Sequence, residues 1–226
     1  MKPFKKALSL LGGLALCGLA SYCVIQANIG LAPWDALNMG TAILTGQSYG
    51  NMSVLIGLII LVLDVLLGEK IGLGTILNTV LVGKFVDLCA AFELVPQAEN
   101  FGTGLLLLVI SQLLMSVGVF FYMRTGMGSG PRDSLMVAAC KRFPQAPVGL
   151  LRGGIEGLAL FAGWLMGAKV GLGTVVYMFG IGLIMQAVFS VLRFDPKQVH
   201  HENALETLRR WKAEFAAKQT VNSENN

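Results

Sequence analysis

Charge is what this sequence has little of. Only 13% of its 226 residues are Asp, Glu, Lys or Arg, against about 25% in a soluble domain. That shortage excludes a solvated globular surface. Histidine is nearly absent, and the two present, His200 and His201, have no ligand partners in the sequence. The four cysteines, Cys17, Cys23, Cys89 and Cys140, form no CxxC and have no His nearby. They read as small polarizable packing residues rather than a zinc site or a disulfide framework. No HExxH or GxSxG occurs, and "GMGSGP" at 126–131 lacks the preceding strand and glycine spacing of a dinucleotide loop. No nucleophile–base constellation, metal cluster or cofactor motif is present, so the expectation is a protein that is not an enzyme.

What the chain does have is apolar length. Hydrophobic residues make up 54% of it, and the mean hydropathy is +0.67. A helix crossing about 30 Å of hydrocarbon needs about 20 apolar residues. Six stretches qualify, at 7–27, 50–68, 71–92, 102–124, 148–168 and 171–192. Two further stretches, 34–46 and 132–143, are helix-like but too short and too polar to span. The start, "MKPFKKALSLLGGLALCGLASYC", has the basic-then-apolar pattern of a signal peptide. Leu16 before Cys17 and Tyr22 before Cys23 both spoil a lipoprotein-type cleavage site. The segment is expected to be retained as the first span, in contact with membrane lipids like the other five.

Orientation follows from Lys and Arg placement. With the N-terminus in the cytoplasm and six spans, fifteen of the seventeen basic residues fall inside, Lys169 falls outside and Lys84 lies within a span. Both termini are then cytoplasmic. The net charge of +4 reports this topology rather than a nucleic-acid partner.

The chain also repeats itself. "GLAPWDAL" at 30–37 returns as "GSGPRDSL" at 128–135, with Gly30, Pro33, Asp35 and Leu37 matched by Gly128, Pro131, Asp133 and Leu135. "KIGLGT" at 70–75 returns as "KVGLGT" at 169–174. Gly68 likewise pairs with Gly167, and Gly83 with Gly182. The single membrane domain, 1–192, therefore divides into repeats of about 7–92 and 102–192. Each has three spans and one short element. Three is odd, so the halves run in opposite directions through the membrane, an inverted 3+3 repeat. The fold expected is all-α, six spans with two half-helices.

Each motif has a physical reading. Glycines permit a sharp turn after the span, proline suits a helix's first turn, and an aspartate there is favoured by the helix dipole. Two readings of the short helices remain open: amphipathic connectors on the surface, or half-helices dipping toward the centre. Irregular backbone at membrane depth is tolerated where it is buried in protein or lines a water-filled cavity. On the second reading Pro33, Asp35, Pro131, Arg132 and Asp133 frame a small-molecule site, with Arg132 the charge partner of Asp133 or a clamp on the ligand.

The matched "GLAPWDAL", "GSGPRDSL" and "GLGT" segments resemble the YczE/YitT-like family of bacterial integral membrane proteins over residues 7–192. The resemblance implies a multi-pass protein of a bacterial inner membrane and names no substrate. Arg132 stands only in the second copy, where the first has Trp34.

Other polar residues fall in the spans, where they are functional by default. Lys84 and Asp87 are spaced to pair on one helix face, and so are Arg152 and Glu156. Lys84–Asp87 can be a structural pair that locks helices, and Arg152 can snorkel to the cytoplasmic surface with Glu156 following it; a proton relay through Lys84–Asp87 or Glu156 is the alternative. Asp64, near an inner helix end, is expected to reach interfacial water. Asn78, Gln112 and Gln186 are further candidates for a polar interior. Gly149, Gly153 and Gly157 make a doubled GxxxG. That face serves packing within the chain or a homodimer seam. The cytoplasmic tail, 193–226, contains a basic amphipathic segment at 202–218 with Leu205, Leu208, Trp211 and Phe215 on one face.

The functional expectation is a secondary transporter or permease for a small solute. The alternatives are a passive channel and a non-transporting membrane partner or scaffold.

Overall fold

Six helices long and apolar enough to cross a membrane account for most of the chain. The structure, a computed structural model, describes residues 3–195. The amphipathic tail segment and both histidines lie outside the described residues. In chain order the helices are α1 (Pro3–Ala27), α2 (Pro33–Thr45), α3 (Tyr49–Leu66), α4 (Leu73–Ala91), α5 (Phe101–Met123), α6 (Pro131–Arg142), α7 (Val148–Leu165) and α8 (Leu172–Val191). The protein is an all-helical, multi-pass membrane protein. Every expected span is present within a few residues, and the two short stretches are α2 and α6.

The bundle is built around α1 and α5, which run against each other over most of their length. Small residues make that approach possible: a Cβ on Gly13 would sit 2.7 Å from the Gly118 carbonyl, and one on Gly118 2.8 Å from that of Gly13. Close backbone contact through glycine is a common membrane packing device. On one flank α4 lies against α1, with Gly18 against Phe85. On the other, α8 lies against α5, and the Gln112 amide occupies the space beside Gly180.

The short helices begin inside the protein. Both start on proline, Pro33 and Pro131, and carry an aspartate in the first turn, Asp35 and Asp133. The chain enters each through a glycine in the left-handed region, Gly30 at φ +133° and Gly128 at φ +122°. A Cβ at Gly30 would collide with Gly171 and Thr174 at the start of α8. A Cβ at Gly128 would meet Thr75, beside Gly72 at the start of α4. Backbone bonds fix both crossings: Gly173 N–H donates to Ile29 O at 2.9 Å, and Gly74 N–H to Met127 O at 2.7 Å. The "GLGT" copies thus each hold the entry to the other half's short helix.

α2 packs closely on α7, where the Gly163 Cα faces the Ala36 backbone, and α6 packs on α3. One difference between the halves stands out. α3 and α4 lie along each other, whereas α7 and α8, joined by the equivalent turn, scarcely touch. Among the described residues the doubled GxxxG of α7 makes no close contact: nothing there lies within 4 Å of a Cβ placed at Gly149, Gly153 or Gly157.

Candidate functional site

The first turns of α2 and α6 meet in the middle of the bundle. The Arg132 guanidinium carbon sits 5.1 Å from the centre of the Trp34 ring, within cation–π range. The two residues that occupy the same place in the repeated motif therefore touch each other. The expected Arg132–Asp133 pair does not form. Arg132 turns to Trp34, and Asp133 Oδ2 accepts from the Tyr122 hydroxyl at 3.4 Å. Neighbours in a helix's first turn point away from each other, so the ring across the bundle is the nearer partner.

Pro33, Asp35 and Pro131 are buried, Arg132 is half-buried and Asp133 is exposed. Asp35, only 3% exposed, is held by a polar chain. The Tyr49 hydroxyl donates to its Oδ1 at 2.6 Å, the Ser21 hydroxyl to the same atom at 3.4 Å, and Asn38 Nδ2 to the Tyr49 oxygen at 3.2 Å. A buried carboxylate needs such donors, because losing water without replacement is costly. Asn38 shares a helix face with Asp35, three residues on, so spacing alone marks it. Tyr49, Ser21 and Tyr122 come from α3, α1 and α5, and nothing local to the motif announces them.

Two cavities flank this cluster. The larger, about 660 Å³, is lined by Tyr22, Gln26, Ser48, Tyr49, Asp87 and Glu93 among others, at the end where α1 finishes. The smaller, about 150 Å³, is lined by Cys17, Ser21, Tyr49, Asn78, Tyr122, Arg132 and Asp133 among others. Tyr49 lines both and stands between them. Asn78 thus lines polar space as expected, and Gln112 is buried at 1% exposure with neither amide atom bonded.

The remaining intramembrane residues depart from expectation more often. Lys84 and Asp87 do not pair. Lys84 Nζ donates to Asn51 Oδ1 at 2.6 Å, while Asp87 accepts from the Ser48 hydroxyl at 2.7 Å and from Gly50 N–H at 2.8 Å. The uncovered amides at the start of α3 outcompete the lysine for that carboxylate. Asp64 does not reach interfacial water: its exposure is 0% and neither carboxylate oxygen has a partner among the described residues. The helices packed around α3 cover it. Gln186 is exposed on α8 rather than interior. Arg152 and Glu156 do pair, at 2.9 Å. The structure brings Pro33, Asp35, Pro131, Arg132 and Asp133 to one place, sets Asp87 in the wall of the larger cavity, and leaves Lys84 and Asp64 out of both cavity walls.

Comparison with known proteins agrees with a membrane protein. The chain is 31% identical over 189 residues to an uncharacterized protein of Haemophilus influenzae, covering 84% of this chain and 85% of that one. It is 32% identical over 177 residues to the uncharacterized membrane protein YczE of Bacillus subtilis, covering 77% and 80%. A second Bacillus subtilis protein, YyaS, is 29% identical over 133 residues, covering 54% and 62%. No solved structure matches the chain. The match that spans the bundle runs from residue 4 to residue 190, and by it the chain belongs to the family of unknown function DUF6198.

Proposed function

We propose that the protein is a secondary transporter of a small solute in a bacterial inner membrane. The observation that carries this reading is the meeting of two sequence-matched helix starts beside two cavities with charged and hydroxyl-bearing side chains in their walls. Arg132 lies over Trp34, Asp35 and Asp133 flank them, and cavities of about 660 and 150 Å³ lie on either side of Tyr49. Helix N-termini at mid-depth are a transporter's means of holding a solute, and Arg132 supplies a fixed charge for it. The halves are read as an inverted 3+3 repeat, with both termini cytoplasmic and the larger cavity opening outward. The small volume of the inner cavity fits a solute of a few heavy atoms. No enzymatic role is proposed.

The test is flux in liposomes containing the purified protein. Uptake against a concentration gradient, driven by an imposed proton or sodium gradient, supports the reading. Downhill movement alone makes the protein a passive channel. No movement of any solute in a broad panel, with co-purification of one membrane protein, makes it a partner or scaffold.

A further inference from the structure

The two halves match in sequence, yet they differ in shape at one place. α3 and α7 are both 18 residues long and begin 99 residues apart, at Tyr49 and Val148. Gly50 therefore corresponds to Gly149, and Gly83 to Gly182. In the first half these glycines are the contact between helices: a Cβ on Gly83 would lie 2.8 Å from the Gly50 carbonyl and 3.2 Å from its Cα. In the second half nothing among the described residues lies within 4 Å of a Cβ placed at Gly149 or Gly182.

The polar groups around that contact follow the same pattern. The start of α3 is closed by Ser48, which accepts from Asn51 N–H, and by Asp87, which accepts from Gly50 N–H. The start of α7 follows Pro147 and has no side-chain cap. Gln186, which corresponds to Asp87, is exposed with a carboxamide oxygen able to accept from Gly149 N–H. The apolar face agrees. Val86 and Cys89 are buried at 1% and 7%, while their counterparts on α8, Met185 and Val188, are only half-buried. Asp35 is closed off, whereas Asp133 is exposed.

We propose that α7 and α8 close on each other in a second state of the same molecule, through a Gly149–Gly182 contact latched by Gln186. In that state the second half takes the form the first half has here. Asp133, exposed in this structure, is closed off in the other as Asp35 is here. The inference deepens the transport reading and supplies its moving part, but closure is measured without any solute. Transport can therefore fail while closure holds, and the reverse is equally readable.

The experiment is disulfide trapping of Gly149→Cys/Gly182→Cys in a Cys140→Ser background, in membranes treated with a mild oxidant. Both positions have open space, so the variant folds. A disulfide needs the two Cα atoms within roughly 7 Å. The expected result is a bond within one chain, found as linked peptides in the monomer band. Gln186→Leu should slow its formation about fivefold, the weight of one hydrogen bond. Gly154→Cys/Gly182→Cys should stay unlinked, because Leu55, which corresponds to Gly154, is exposed and points away from the Gly50–Gly83 contact. A disulfide only between chains overturns the proposal, since the gap would then hold a second copy. Free alkylation of both thiols with no bond overturns it as well. So does equal trapping at Gly154→Cys, or an unchanged rate in Gln186→Leu.

Discussion

Tyr49 is the residue whose removal tests the site most directly. Its hydroxyl is 2.6 Å from Asp35 Oδ1, and Asp35 is 3% exposed, so water cannot replace it. The only other donor to that carboxylate among the described residues is Ser21 at 3.4 Å, a long bond. A hydrogen bond to a charged group contributes about 1.5–3 kcal/mol. In a chain of this length each kcal/mol moves Tm by roughly 2–4 °C. Tyr49→Phe should therefore lower the melting temperature in detergent by about 3–12 °C. A double-mutant cycle separates this bond from the ring's packing. Against Asp35→Leu, the same Tyr49→Phe change should become nearly neutral, with a coupling above ~1 kcal/mol. Tyr122→Phe is the internal comparison: its bond to Asp133 is 3.4 Å long and Asp133 is exposed. It should shift Tm by less than Tyr49→Phe does, because a 3.4 Å bond is weaker than one of 2.6 Å. Additive losses in the cycle, or equal losses for the two tyrosines, would refute the reasoning.

Gly163→Leu should reduce folded yield severely, since any Cβ there strikes the Ala36 backbone; Gly153→Leu should leave yield and melting unchanged, because nothing lies near it. Arg132→Ala and Trp34→Ala should each reduce liposome flux by tenfold or more with melting within a few degrees of the parent, and Arg132→Lys should restore part of it by keeping a cation over the ring. A reporter fused after Asn226 should read cytoplasmic and one at Gln97 external; reversal of either removes the opposed orientation of the halves.

Much of the fold was legible because bilayer thickness sets helix length and glycine, proline and aspartate mark helix starts. The edges of α2 and α6 fell within one residue of expectation, since Pro33 and Pro131 fix them. The meeting of Trp34 and Arg132 was half legible. Their alignment in the repeated motif is plain, but contact between two helices 98 residues apart in sequence is a tertiary fact. Tyr49 was not legible at all, because its partner lies fourteen residues back on another helix. The Lys84–Asp87 pairing failed for a general reason. Spacing on one helix reports which side chains are neighbours, while the free N–H groups of an adjacent helix start, here at Gly50, compete for the same carboxylate. Asp64 was misjudged because its depth was read along its own helix alone, without the helices that cover it.

The places where the halves diverge explain why one pair of helices is apart and the other together. Ser53 corresponds to Arg152, and Gly57 to Glu156. In the first half Gly57 lies against Thr79, where a Cβ would be 2.8 Å from its methyl, and Ser53 lies beside Gly83. In the second half the same two positions carry an ion pair at 2.9 Å, with Arg152 exposed. Closing α7 on α8 would move that pair out of water, and burying an ion pair is often unfavourable by 1–4 kcal/mol relative to apolar replacement. The pair therefore holds α7 outward until something compensates its charges. It follows that Arg152→Ser/Glu156→Gly, which gives the second half the residues of the first, should shift the molecule toward the closed state. Trapping of the Gly149→Cys/Gly182→Cys pair should then speed up by roughly tenfold or more, as a gain of about 1.4 kcal/mol implies. Glu156→Gln alone should slow it, because a lone buried guanidinium is harder to desolvate than a pair. Slower trapping in the double variant would mean that the charges attract α8 rather than keep it away, and the account of the open state would have to be reversed.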